Sequence, residues 1–185
     1  MKLNEYVELR CTNALNAVKY SKFAKEITEL TDYEKAIIYN YTEDGYIVNE
    51  ILRDSKGNKT TVFSSHLNNV LEKLPSLKDT DAVVYRGISN RNSVLKYYQN
   101  ALEKNLILTE YGFISASKSK RVAYQFGQTL LIIFSKNGKS IQNISKFGIE
   151  SPFNEQEVLF KSGSQFTVLD IEKENNNNII ILQEL

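Results

Sequence analysis

The stretch that decides the reading is SPFNEQEVLF, Ser151–Phe160, in which Glu155 and Glu157 flank Gln156 and run straight into Val158, Leu159 and Phe160. An apolar run of this kind reads as a buried strand, and period-two alternation then sends both carboxylates to one face, close enough to repel. Like charges so placed cost free energy unless something needs them there. One chemistry that needs such a pair is reaction at an anomeric carbon. There one carboxylate accepts a hydrogen bond from a sugar hydroxyl as positive charge grows on the ring, and the other orients or deprotonates the nucleophile. The plain alternative is a solvated Glu155 in a turn, with only Glu157, or neither acid, of consequence.

Outward from this stretch the texture of the second half is strand-rich. EVLFKSGSQFTVLDIE reads as a hairpin around Gly163, and NIIILQEL as a last strand after the Asn run 175–178. TLLIIF is a buried strand, AVVYRG a short β-rich run, and SVLKYYQNALEK an amphipathic helix. Before Asp79 the apolar residues recur at threes and fours: Leu15 and Val18, then Phe23, Ile27 and Leu30, then Ala36, Ile37 and Tyr41. Thr31 followed by Glu34 is a helix-start signal, a further helix spans about Tyr46 to Arg53, and Asp54–Lys59 is a turn. Ser64 or Ser65 then opens a helix that runs to Leu74. Helices first and strands after make an α+β chain rather than an alternating one.

Composition narrows the chemistry. The 185 residues carry 23 Lys+Arg against 22 Asp+Glu, a formal net charge of +1, so no broad basic face for nucleic acid is implied. One cysteine, Cys11, and one histidine, His66, leave no soft ligand set for a transition metal. Cys11 reads as a core or surface thiol in a helix, and His66 as a helix-surface or cap residue. The N-terminal residues MKLNEYVELRCTNALNAV contain no apolar signal-peptide core, and nothing in the chain approaches the roughly 18 apolar residues of a membrane span. We therefore expect a chain without a membrane partner that acts in a cytoplasm, its own cell's or a host's after delivery.

Two further segments depart from packing logic. Arg86 closes the apolar run VVYRG, an odd place for a permanent charge unless its fork of donors meets phosphate or carboxylate. Gly87 beside it frees the backbone for a close approach. A surface Arg at a strand end is the ordinary alternative. In GFISASKSKRVAYQFG, Ser115 and Ser117 share a face if extended, and Ser117 or Ser119 caps a short helix that Gly127 ends. No histidine lies nearby and no G-x-S-x-G elbow is present, so these serines read as hydrogen-bond suppliers rather than nucleophiles.

An Arg ending one strand, Ser-x-Ser ending another and Glu-x-Glu heading a third, in that order, resemble the mono-ADP-ribosyltransferases of the arginine-serine-glutamate type. That group includes bacterial toxins and effectors, phage enzymes and vertebrate ecto-enzymes. The resemblance runs from about Leu30 onward. LTDYEKAIIYNYTEDGYIVNEILR looks like the family's opening helical segment, VVYRGI like its arginine strand and GFISAS like its serine motif. GKSIQNISKFGIESPFNEQEVLF looks like the loop and strand of the acidic pair. The serine motif reads Ser-Ala-Ser where many members have Ser-Thr-Ser.

The resemblance implies a single domain over residues 1–185: a mainly helical lobe over about 1–78, then an NAD-binding core over about 79–185 built as a mixed or antiparallel two-sheet β structure. It implies NAD as the substrate, no metal, and a protein target that presents arginine, because Glu at the first acidic position goes with arginine acceptors. In that reading Arg86 binds the pyrophosphate or its adjoining ribose, Gly87 bonds the nicotinamide carboxamide through its backbone, and Phe126 stacks on the nicotinamide ring from the helix after the serines. Ser115 holds Glu157, which engages the ribose hydroxyl and stabilises an oxocarbenium-like transition state. Glu155 meets the acceptor guanidinium, Tyr41 and Tyr46 flank dinucleotide and acceptor, and the loop from Phe147 to Asn154, with Phe153, recognises the target. Stabilising a sugar cation while a neutral nicotinamide departs needs no strong acid, which suits a chain with one histidine. Water in place of the acceptor makes the same site an NAD glycohydrolase. A nucleic-acid acceptor fits the near-neutral charge less well, and a third reading keeps the fold only to bind a partner.

Overall fold

Local signals account for the helices. In the computed structural model, which describes residues 1–78, 82–89, 91–175 and 177–185, α1 (Leu3–Arg10) and α2 (Thr12–Tyr20) meet at Cys11, whose φ of −130° breaks the helix. A 3₁₀ turn, Ala24–Glu26, leads to α3 (Asp32–Asp44). There the expected capping box is complete: Thr31 Oγ1 accepts from the Glu34 amide and Glu34 Oε2 accepts from the Thr31 amide, at 3.3 and 2.8 Å. Helix α4 (Tyr46–Asp54) follows, as its amphipathic spacing predicts. Helix α5 (Val62–Lys73) starts earlier than the serines suggest. Thr61 is its cap and Ser64 is the third residue of the box, bonding back to the Thr61 amide at 2.9 Å.

The strands are β1 (Val83–Ile88), β2 (Leu108–Glu110), β3 (Ile114–Ser117), β4 (Thr129–Phe134), β5 (Lys139–Ser140), β6 (Glu157–Phe160), β7 (Ser164–Glu174) and β8 (Asn177–Glu184), with α6 (Asn92–Glu103) and the single-turn α7 (Lys120–Ala123) between them. The order across the sheet is β2-β7-β8-β4-β1-β3-β6-β5, with β4 and β8 parallel and the other neighbours antiparallel. The two-sheet core expected from the resemblance takes the form of two halves joined in one ladder. β1 pairs with β4 along all six residues but with β3 only at Tyr85–Ser117.

The hairpin expected around Gly163 does not form. β6 lies between β3 and β5, while β7 lies between β2 and β8. The chain crosses from one half to the other because the Gly163 amide bonds to the Glu110 carbonyl at 2.7 Å, and because Asn68 of α5 clasps Ser162 through both its side-chain atoms. The hairpin that does form is β7–β8, with a bulge between Val168 and Asp170. Asn176 of the polar run, and residues 79–81 at the expected lobe boundary, lie outside the described residues.

Two apolar cores result. One joins α1–α5 to Phe113, Ile141, Ile144 and Leu159; the other joins α6 to the opposite face of the sheet, with Val158 and Phe160. Alternation along fully buried β6 therefore gives Val158 and Phe160 to one core, and Glu157 and Leu159 to the face that meets the helical segment. Cys11 is a core residue whose thiol burial pushes up to about 11. His66 packs by Tyr6 of α1, ring centroids 6.1 Å apart, rather than standing free on the helix surface.

Candidate active site

Beyond the Tyr85–Ser117 pair the two halves of the sheet part, and α3 and α4 lie across the gap. The resulting cleft, of about 390 Å³, is lined by Arg86, Gly87, Ser115, Glu155 and Glu157, with Tyr41, Tyr46 and Phe126 at its sides and mouth. These eight residues thus border one cavity, whereas Phe153 of the expected recognition loop does not line it and is 76% exposed. Arg86 Nη1 donates to the Ser115 carbonyl. Among the described residues no carboxylate forms an ion pair with its guanidinium. Burial lowers its pKa from the ordinary arginine value, a sign that the charge is poorly solvated and suited to an anionic ligand.

Glu157 is only 5% exposed. Burial raises its pKa, opposed by hydrogen bonds from Ser145 and Ser115 and by the charge of Arg86. Glu155 is pushed to about 6, by burial first and by the Glu157 charge second. The acids are not neighbours by strand alternation, however. β6 begins at Glu157, and Gln156 is left-handed, with φ of 49°. The Asn154 side chain takes the Gln156 amide at 2.9 Å and Ser117 Oγ donates to the Glu155 carbonyl at 2.6 Å, so a turn rather than an extended strand brings Glu155 to the cleft. The serines accordingly divide their work: Ser115 lines the cleft, Ser117 holds the backbone at Glu155, and Ser119 is the cap of α7, accepting from the Val122 amide.

Gly87 is needed for a contact within the protein. A Cβ there would meet the Ala123 carbonyl oxygen at 1.9 Å, and one on Gly127 would meet the Ile88 carbonyl oxygen at 2.1 Å. The two glycines let α7 and the turn after it press against β1. Phe126 lies in that turn, past the end of the helix expected to carry it, and is 59% exposed at the mouth of the cleft. Tyr41 is buried with its ring edge-on to Phe113, whereas Tyr46 is 73% exposed at the rim.

Three contributors escaped the sequence reading. Asn49 donates to the Tyr41 hydroxyl at 2.9 Å and accepts from the Phe113 amide at 2.7 Å, tying α4 to the strand segment behind it. Arg53 reaches Glu110 at 3.4 Å along the same wall. Tyr46, Asn49 and Arg53 fall at helical spacing, so a stripe of polar residues on an amphipathic helix was the signal available. The third, Ser145, donates to Glu157 Oε2 at 2.7 Å from a loop, where no periodicity marks it.

Among the described residues no group of His, Cys, Asp and Glu is placed to hold a metal ion, and no helix is long and apolar enough to cross a membrane. With the cleft defined, the relatives can be stated. The chain belongs to the ADP-ribosyltransferase exoenzyme family, whose family model matches residues 12–185. Enzymes of this family take NAD as substrate and transfer its ADP-ribose. No curated protein matches by sequence.

Among solved structures, the fold is shared with exoenzyme S from Pseudomonas aeruginosa, crystallised with human 14-3-3 protein beta and carba-NAD: TM-score 0.77, 20% identity, over 98% of this chain and 86% of that one. It is shared with the ADP-ribosyltransferase HopU1 of Pseudomonas syringae pv. Tomato DC3000: 0.76, 16%, over 95% and 87%. It is shared too with the ADP-ribosyltransferase Vis in complex with agmatine: 0.65, 21%, over 100% and 86%.

Proposed function

We propose that this chain transfers ADP-ribose from NAD to arginine side chains of a target protein, acting in a cytoplasm as a single catalytic domain over residues 1–185. The observation that carries the reading is the opposition of Arg86, which forms no ion pair among the described residues, to two carboxylates with different surroundings in one cleft. In this reading Arg86 takes the pyrophosphate or its ribose, the Gly87 backbone takes the carboxamide, and Phe126 stacks on the nicotinamide. Glu157, buried and hydrogen-bonded, accepts from the ribose hydroxyl and stabilises the sugar cation as nicotinamide leaves. Ser115 supports it, and Tyr41 and Tyr46 flank the donor and acceptor.

Glu155 lies in the loop ahead of β6 and is less buried than Glu157, which suits it to an incoming guanidinium. The neighbouring fold of Vis holds agmatine, a guanidinium compound, which supports that class of acceptor. The test is incubation with labelled NAD and agmatine, following both nicotinamide release and labelled agmatine. Glu157→Gln should abolish both products. Glu155→Gln should remove transfer and leave part of the NAD hydrolysis; equal loss of both from the two variants would count against the division of labour. Nicotinamide release without any labelled acceptor would replace the transferase reading with an NAD glycohydrolase.

A further inference from the structure

Ser145 was given no role by the sequence, yet its side chain is bonded directly to the candidate catalytic carboxylate. Its Oγ donates to Glu157 Oε2 at 2.7 Å, and both residues are buried. The same oxygen accepts from the Phe147 amide at 3.2 Å, so the direction of its proton is set: the amide occupies a lone pair and the hydroxyl hydrogen is left for the carboxylate.

The loop around it is tightly self-bonded. The Ser145 amide bonds to the Ile141 carbonyl at 2.8 Å, the Gly148 amide to the Ser145 carbonyl at 3.0 Å, and the Ile149 amide to the Gln142 carbonyl at 2.9 Å. The loop is anchored to the acidic strand at both ends. The Ile141 amide bonds to the Glu157 carbonyl at 3.0 Å, and the Glu155 amide to the Phe147 carbonyl at 2.8 Å. One serine therefore joins the segment that carries Phe147 and Glu155 to the side chain of Glu157.

We infer that Ser145 is a positioning residue: its hydroxyl fixes the rotamer of Glu157 from a loop that is itself bonded to the acidic segment. This rests on the reading of Glu157 as the group that meets the NAD ribose. A charge-assisted hydrogen bond from a buried hydroxyl is among the stronger single contacts, and a carboxylate without it is free to turn. Ser115, on the neighbouring strand β3, supplies a second bond to Glu157, so Ser145 adds orientation rather than sole support. Ser145 lies in none of the positions that would touch a dinucleotide directly, and it does not border the cleft. Its effect is thus on the chemical step rather than on NAD affinity.

The titratable and charged groups that face Glu157 are Glu155, Arg86 and Tyr41. All are unchanged in a Ser145 variant, so a shift in the acid limb of the rate profile reports the lost hydroxyl.

The test measures NAD consumption by the full chain as Ser145→Ala and Ser145→Thr, with Glu157→Gln as reference and thermal unfolding followed for each. Ser145→Ala should lower kcat about tenfold to a hundredfold, with KM for NAD changed less than about threefold. The acid limb of its kcat profile should move to higher pH, because the bond that favours the charged carboxylate is gone. Ser145→Thr, which keeps the hydroxyl, should restore most of kcat and the wild-type acid limb. Unchanged kcat in Ser145→Ala, or a loss that Thr does not rescue and that falls equally on KM and Tm, overturns the inference. If Glu157→Gln retains full NAD consumption, the reading of Glu157 has failed instead.

Discussion

At the scale of single residues, the environment of Glu155 sets a pH dependence. Its carboxyl is shifted from the ordinary 4.5 to about 6, so the folded chain holds a proton there that the unfolded chain has released. The folded state therefore gains stability from this group as pH falls through that window and loses it above. Glu155→Gln removes the penalty, and solvent screening limits the effect because the side chain is partly open. Its Tm should rise by up to about 4 °C near neutral pH, and the gain should fade as pH drops and vanish at about pH 4, below the unfolded-state value, as thermal unfolding at the two pH values would show. Arg86, Gly87 and Glu157 were legible in the sequence because a charge or a glycine at a strand end is anomalous by itself, whereas Tyr41, Tyr46 and Phe126 came only with the family resemblance. Ser145 went unnoticed because a serine in a polar loop is ordinary until its partner is known.

Among elements, α7 and the turn after it show how a backbone contact governs a site. Gly87 touches the Ala123 carbonyl and Gly127 touches the Ile88 carbonyl, so neither position has room for a methyl group. Gly87→Ala must displace α7, at a cost of about 1–3 kcal/mol, and carry Phe126 away from the mouth of the cleft. A lower Tm together with weaker NAD binding by calorimetry is the expected outcome; unchanged NAD affinity would separate Phe126 from that contact. The helices α3, α4 and α6 and the strands β1 and β4 were legible because their periodicity and caps are contained within each segment. The pairing of β6 was not, since its partners β3 and β5 are chosen by apolar faces and by the Asn68–Ser162 clasp far away in sequence.

For the whole molecule, α1 packs on α3 behind the cleft without lining it. Val7 is fully buried against the helical core, yet every residue that lines the cleft lies at Tyr41 or later, and the family match begins at residue 12. Removal of residues 1–11 should lower Tm through lost apolar burial while leaving NAD affinity within about twofold of the intact chain, as paired unfolding and binding measurements would show. By itself the sequence determined the α+β class, the order of helices before strands and the identity of the arginine, serine and acidic groups, because spacing and residue chemistry are local properties. Only the tertiary structure decided that the two halves of the sheet meet at one residue pair. It alone showed that Glu155 reaches the cleft through a left-handed Gln156, and that Ser145 grips Glu157. Strand partnership and loop path depend on contacts between distant residues, which no periodicity within a segment encodes.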